Sequence, residues 1–287
     1  MDELTAAIRA RELVQRVNTN SIPVQVEPFL AVLRCELKVD NEMGPHEAGY
    51  CLSKSGKHVI VVNGKDSPER QRFTTFHEMG HIDLKLPSEH AGSPSWSYNN
   101  RSANEICCDT YAAEILLPHR FFKPLVDSAD IGMAALDDLA EKFEASVTAT
   151  GSRFASTTNA PCAFVVSENG MVRYTVISKA LREVRAWITR GMAVPSGSST
   201  ALISNGQSVK DPQEIAADVW FNDWRRGGVL LEEARYLRNY DQTLTLLWFE
   251  DEEVPHKPST DNNGEDGEMG LKELDGILPW PGKRRRR

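Results

Sequence analysis

Residues 67–81 read SPERQRFTTFHEMGH, and this stretch is the most informative part of the sequence. It opens with a Ser-Pro pair, a favourable N-cap and first helical residue, so a helix is expected to begin there. On that helix His77 and His81 are four residues apart, so both imidazoles leave one face and can bind a single Zn²⁺. Glu78 follows the first histidine and can act as general base toward an attacking water. The stretch therefore predicts a catalytic metal-binding helix.

A catalytic zinc site needs a third protein ligand. The metzincin pattern would require a Gly and a His where this chain has Leu84 and Pro87, so that class is excluded. The remaining candidates are acids or histidines downstream of the motif: Asp83, Glu89, His90, Glu105, Asp109 and Glu114. Asp83 is expected to point off the other side of the helix. Glu89 and His90 fall in a loop rich in Pro, Ser and Gly, which rarely holds a ligand rigidly.

Glu105 is the best placed candidate. It lies at the start of an amphipathic segment, 104–118, which reads as a second helix ended by Pro118. Asp109 is four residues further on and shares the face of Glu105. With Glu105 as the third ligand, Asp109 can hydrogen-bond a ligand histidine from behind.

These two helices together resemble the ImmA/IrrE family of metallopeptidases. The family signature runs H-E-[LMI]-G-H and then E-x-x-A-[ND]-x-[FY]-A-x-x-[LI]-[LM]-[ML]-P, and this chain departs from it in having Cys108 where Ala is usual. The resemblance covers roughly residues 5–120. It implies a zincin-like fold and a zinc endopeptidase that cleaves helix-turn-helix repressors, switching on genes in stress responses, mobile elements or phage defence.

The order of patterns predicts an α+β chain in four parts. Residues 1–125 read as the metallopeptidase domain, 126–159 as a helical linker, 160–250 as a second globular domain, and 251–287 as an acidic disordered tail with a basic end. In the first part a hairpin is expected over 50–62. An edge strand beside the catalytic helix is what an endopeptidase uses to hold an extended substrate, although plain core strands fit the pattern equally well.

The linker has the spacing of a helix-turn-helix, with helices over 134–143 and 147–156. This motif is poorly suited to binding DNA. Glu144 occupies the turn position where Gly is usual, and Arg153 is the single basic residue of the second helix. DNA-binding modules need several phosphate contacts. A structural linker or a repressor-docking surface is therefore the favoured interpretation.

Residues 160–250 combine a hairpin with an Asn-Gly turn, a helix over 181–190 and an apolar strand over 241–250. This order resembles the GAF-like sensor domains attached to some ImmA/IrrE peptidases, which implies a small-molecule or nucleic-acid signal. Aromatic residues that could line a ligand pocket, but that more often form plain core, are Trp187, Trp220, Phe221 and Trp224.

The composition of the chain limits the cellular compartments and the classes of binding partner that we expect. A net charge of −8 leaves no overall basic field for nucleic acid, and no apolar run is long enough to span a membrane. Five cysteines without a secretory signal indicate reduced thiols and a cytoplasmic location. Cys107 and Cys108 lie close to Glu105 and are candidate regulatory thiols, with Cys35, Cys51 and Cys162 as alternatives.

The leading interpretation is a zinc endopeptidase with one Zn²⁺ per chain on His77, His81 and Glu105, although Mn²⁺ or Fe²⁺ can occupy such sites. Glu78 serves as its general base. Two alternatives stay open: a DNA-binding regulator that retains a peptidase-like fold, and the partner-binding half of a toxin–antitoxin pair.

Overall fold

The computed structural model describes residues 1–44, 47–88, 102–209 and 212–250, all within one compact unit, Met1–Pro255. The predicted acidic tail (251–287) and two of the ligand candidates, Glu89 and His90, lie outside the described residues.

A three-stranded sheet precedes the motif. Helices α1 (Glu3–Val17) and α2 (Glu27–Leu33) are followed by strands β1 (Cys35–Asp40), β2 (Gly49–Lys54) and β3 (Lys57–Asn63). β3 is central, with β1 parallel on one side and β2 antiparallel on the other. The predicted hairpin is confirmed, and its β2 strand is an edge of the sheet. β1 was missed, because its short pattern follows directly on the end of α2.

Two packed helices carry the motif and its downstream acid. They are α3 (Pro68–Leu84) and α4 (Ala103–Leu116), and each begins at a serine whose hydroxyl accepts a backbone N–H of the first turn. The helices approach closely at Gly80, where an added Cβ would lie 3.2 Å from the Cα of Cys108. Glycine at this position therefore sets how near α4 comes to the two histidines.

Three further helices follow: α5 (His119–Asp127), α6 (Met133–Phe143) and α7 (Val147–Thr157). The predicted helix-turn-helix spacing of α6 and α7 is confirmed. The Arg153 guanidinium, however, lies 2.7 Å from the buried carboxylate of Glu114 on α4. A Cβ at Gly151 would lie 2.3 Å from the ring of Phe164. The second helix of the pair is thus packed against the rest of the molecule, and its one basic side chain is engaged.

The remaining elements build a five-stranded antiparallel sheet in the order β5-β4-β8-β7-β6. Their bounds are β4 (Cys162–Glu168), β5 (Met171–Ile177), α8 (Lys179–Glu183), α9 (Ser199–Ser204), β6 (Gln213–Ala216), α10 (Ala217–Trp220), β7 (Val229–Leu237) and β8 (Gln242–Trp248). The helix expected over 181–190 is wrong. α8 ends at Glu183, since Ala186 N–H bonds the Leu181 carbonyl and Arg185 turns to φ 60.

The five-stranded sheet lies between two hydrophobic clusters. One face joins the core of α1–α7, as shown by Leu244, Leu246 and Trp248 of β8. The other face carries a second cluster that contains Leu247 and Phe249. This second cluster also buries Trp220, Phe221 and Trp224, whereas Trp187 is exposed. The mixed α+β class is confirmed, and the division into a peptidase domain, a linker and a GAF-like domain stays a prediction.

Candidate metal centre

His77 and His81 meet on the buried face of α3, one helical turn apart. Their Nε2 atoms are 3.1 Å from each other. Both histidines and the neighbouring Glu78 are buried, with exposed fractions of 7%, 3% and 1%. Ligand atoms of these three residues all lie within 4.8 Å of one another, close enough to hold a metal ion. The helix period alone accounts for the histidine pair.

α4 delivers the Glu105 carboxylate to the same point. Its Oε2 lies 3.0 Å from His77 Nε2 and its Oε1 lies 3.3 Å from His81 Nε2. Glu105 is three residues after the Ser102 N-cap, a spacing at which a glutamate often turns back to cap the helix start. Here its N–H bonds the Ser102 hydroxyl, while its carboxylate reaches the imidazoles.

This donor set fits a divalent metal. Two imidazole nitrogens and one carboxylate are a usual ligand set of catalytic zinc, and ligand atoms about 2.0–2.1 Å from a tetrahedral ion are about 3.3–3.4 Å from each other. The three separations in the protein, 3.0, 3.1 and 3.3 Å, are close to that value. His77, His81 and Glu105 would therefore hold the ion with little rearrangement.

Asp109 supports the centre from the far side of His77. Its Oδ1 lies 2.9 Å from His77 Nδ1, one turn of α4 after Glu105. A carboxylate in this position accepts the Nδ1–H proton and leaves Nε2 with its lone pair directed at the metal position. Asp109 thus orients the ring without approaching the ligand cluster itself.

The two carboxylates favour positive charge at the imidazoles. Burial opposes the charged form of His77, but hydrogen bonds with Asp109 and Glu105 outweigh it and raise the pKa of His77 to about 10. Burial likewise favours the neutral form of Glu105, yet hydrogen bonds with His77 and His81 hold the pKa of Glu105 well below its usual range. The cluster is therefore electrostatically suited to a cation.

Strand β2 carries Cys51, which lies beside Glu78, the predicted general base. The Cys51 thiol, half-buried on this edge strand, hydrogen-bonds Glu78. Burial first, and then the charge of Glu78, raise the pKa of Cys51 to about 12, so the thiol stays protonated. Sequence reasoning named Cys51 only as one of several rival thiols, because nothing local links positions 51 and 78.

The other candidate residues are engaged elsewhere. Asp83 accepts the Tyr111 hydroxyl at 3.0 Å, and Glu114 binds Arg11 and Arg153. Cys108 is fully buried beside Gly80. The Cys107 thiol is also buried and lies 3.7 Å from the Met1 carbonyl. The regulatory role of these two thiols stays a prediction.

The segment that carries this site is similar to a described domain family. Residues 31–155 match the family model Peptidase_M78, described as the IrrE N-terminal-like domain. This match covers less than half of the chain, so the segment is similar to the ImmA/IrrE family, and the likeness favours a divalent metal at the His–Glu–His cluster.

Two curated relatives are similar at low identity, both called radiation response metalloprotease IrrE. The protein of Deinococcus radiodurans is 24% identical over 180 residues, which is 55% of each chain. That of Deinococcus deserti is 26% identical over 174 residues, 56% of this chain and 61% of the relative. The chain thus aligns with little more than half the length of these relatives. They favour a metalloprotease over the alternative of a DNA-binding regulator.

A solved structure is similar in fold over more of the chain than the segment 31–155 that matches the family model. A transcriptional regulator of Mycobacterium tuberculosis superposes with a TM-score of 0.57 at 10% identity, covering 85% of this chain and 76% of its own. At this identity the likeness concerns the fold alone. Among the described residues there is no helix with the length and apolar character needed to cross a membrane.

Proposed function

We propose that this chain is a zinc-dependent endopeptidase. The observation that carries the proposal is the convergence of the His77, His81 and Glu105 ligand atoms within 3.0–3.3 Å, next to the buried Glu78 carboxylate. Zn²⁺ is the default for this ligand set, at about one ion per chain, and Mn²⁺ or Fe²⁺ can replace it. A bound ion would polarise the scissile carbonyl and lower the pKa of a water.

Three residues of the chain have proposed roles in the remaining steps of the reaction. Glu78 accepts a proton from the attacking water and passes it to the leaving amine. Asp109 keeps the His77 ring in the required tautomer through the 2.9 Å contact at Nδ1. Cys51 bonds Glu78 from β2, so the edge strand runs past the base. An extended substrate that pairs with β2, an edge strand of the described sheet, would lie with its backbone near Glu78.

We further propose that the substrate is a helix-turn-helix transcriptional repressor, whose cleavage derepresses stress-response, mobile-element or phage-defence genes. Support comes from the family and from the name of the two relatives, which act in a radiation response. Such a substrate would place the enzyme in the cytoplasm, where five unpaired cysteines are ordinary. A small-molecule or nucleic-acid signal sensed by residues 160–250 would control the cleavage.

The test compares the wild-type chain with Glu78→Gln in an extract of the host cell. Proteolysis creates new protein N-termini, which chemical labelling and mass spectrometry identify. Glu78→Gln should keep its metal, measured by elemental analysis, and lose cleavage by at least about 100-fold, the usual scale for a general base. Glu69→Gln, an acid on the same helix outside the cluster, is the matched control and should cleave normally.

The outcomes separate the two parts of the proposal. New N-termini within a helix-turn-helix protein support both parts. Termini confined to other proteins would leave a protease with a different substrate. Equal cleavage by the wild type and Glu78→Gln would remove Glu78 as the base, and an absence of bound metal would overturn the proposed chemistry.

A further inference from the structure

A cavity lies on the opposite face of the five-stranded sheet from the helices that carry His77 and Glu105. It has a volume of about 480 Å³ and is lined by two loops, 184–189 after α8 and 222–226 before β7. The loops are tied together, since Asn222 N–H bonds the Trp187 carbonyl at 2.8 Å. Thr189 donates both its N–H and its hydroxyl to the Asn222 side chain, at 2.9 and 2.8 Å. Cross-loop bonds of this kind hold the cavity walls in place.

The lining of this cavity is basic. Its lining includes three arginines, Arg185, Arg225 and Arg226, and one acid, Asp223, which leaves a local excess of two positive charges. The chain as a whole carries a net charge of −8. Positive charge concentrated against that background favours an anion at this place.

The backbone that presents two of these charges is costly. Arg185 and Asp223 have φ angles of 60° and 56°, in the left-handed region that disfavours side chains with a Cβ. Arg185 ends α8 in a Schellman turn, where glycine is strongly preferred. Arg185 therefore occupies a turn position where a residue without a Cβ has less steric conflict.

The cavity also offers an exposed indole. Trp187 is 48% exposed, although tryptophan is normally well buried. Its neighbour Trp224 is buried and fixed, because its Nε1–H donates to the Gly227 carbonyl at 2.6 Å and the Arg226 guanidinium lies 5.5 Å from its ring centroid. An exposed aromatic face beside several guanidinium groups can stack a planar ring and bind phosphate oxygens together.

We propose that this cavity, the Arg–Trp pocket, binds a nucleoside phosphate. Its base stacks on Trp187 while its phosphate is bound by Arg185 and Arg225. The pocket borders the second hydrophobic cluster, whereas the metal-ligating helices pack in the first, so this site is separate from the metal centre. The proposal does not rest on the peptidase activity. A free mononucleotide and a nucleic-acid strand share the required chemistry.

The test is calorimetric titration of the full chain at low salt with each of the four common ribonucleoside 5′-monophosphates. Inorganic phosphate and the four parent nucleosides serve as partial probes. At least one monophosphate should bind at one site with Kd below about 1 mM. It should bind at least about tenfold more tightly than phosphate or its nucleoside, since each of these lacks one of the two contacts.

Variants assign the site. Trp187→Ala and Arg225→Gln should each weaken binding of that monophosphate at least about tenfold, the scale of one stacking or charged contact. Both side chains are exposed, and melting curves check the fold. The conservative pair Trp187→Phe and Arg225→Lys keeps a ring and a charge and should weaken binding less. Arg34→Gln, an exposed arginine outside the pocket, is the matched charge control and should bind normally.

A ten-residue single-stranded oligonucleotide distinguishes the two sources. Tighter binding of the oligonucleotide, lost in Trp187→Ala, would identify a nucleic-acid strand, and equal or weaker binding would identify a mononucleotide. The proposal is overturned when no monophosphate binds more tightly than inorganic phosphate. It is equally overturned when Trp187→Ala and Arg225→Gln bind like the wild type.

Discussion

Asp109 is predicted to tune the metal affinity of the centre without being a ligand, and Asp109→Asn tests this directly. The carboxylate accepts the Nδ1–H of His77 at 2.9 Å and is 25% exposed. The substitution keeps the size of the side chain and removes its charge. The amide oxygen can still accept the Nδ1–H, but His77 loses the negative charge that raises the basicity of the ligating nitrogen.

The expected magnitude follows from that single bond. A hydrogen bond to a charged group contributes about 1.5–3 kcal/mol, and about 1.4 kcal/mol corresponds to a tenfold change in affinity. The bond therefore corresponds to roughly 10–100-fold, which agrees with the usual effect of such supporting residues. Because Asp109 is partly solvated, we expect the lower end, about a tenfold loss of Zn²⁺ affinity.

The assay is competition for Zn²⁺ against a chromophoric chelator, with Asp83→Asn as the matched control. Asp83 also joins α3 to α4, but it accepts the Tyr111 hydroxyl and touches neither histidine. Its variant should bind Zn²⁺ like the wild type, whereas Glu105→Gln, which alters a ligand, should lose more affinity than Asp109→Asn. Unchanged affinity in Asp109→Asn, or an equal loss in Asp83→Asn, would refute the reasoning.

Three further predictions concern the structure around the site. Glu114→Gln should lower the free energy of unfolding by about 3–5 kcal/mol, because it leaves the largely buried Arg153 guanidinium without its carboxylate partner; urea unfolding measures this. Gly151→Ala should destabilise the protein by about 1–3 kcal/mol through a clash with Phe164, although alanine favours helices, and thermal melting would detect it. Alkylation of Cys51 should be slow at pH 8 and accelerate about tenfold per pH unit, since its pKa of about 12 lies far above. Glu78→Gln should accelerate it, because the carboxylate contributes to raising that pKa.

Each of these has a control. Glu12→Gln removes an exposed ion pair with Arg9 and should cost less than about 1 kcal/mol. Ser156→Ala changes an exposed position of α7 and should leave its melting temperature nearly unchanged. Cys35, whose pKa burial raises to about 11, lies next to Asp83 and should keep its alkylation rate in Glu78→Gln. Variants that behaved like their controls would contradict the corresponding contact.

The sequence by itself determined the local features of the site. The spacing of His77 and His81, the Ser-Pro helix start and the amphipathic segment from Glu105 to Pro118 all follow from the helical period and from capping, which involve neighbours in the chain. The β2–β3 hairpin, the α6–α7 pair and the β4–β5 hairpin were predictable for the same reason. Where a pattern was short or its end depended on a backbone turn, as in β1 and α8, prediction failed.

Only the tertiary structure decided which distant residues meet. Cys51 touches Glu78 because the edge strand packs beside α3, and Arg153 pairs with Glu114 because α7 packs against α4. Gly151, which weakens a helix when viewed locally, leaves room for the Phe164 ring. Trp187 and Arg225, 38 positions apart, face one cavity because two loops are bonded together. Such contacts depend on how helices, strands and loops pack in three dimensions, and a periodic pattern along the chain does not predict them.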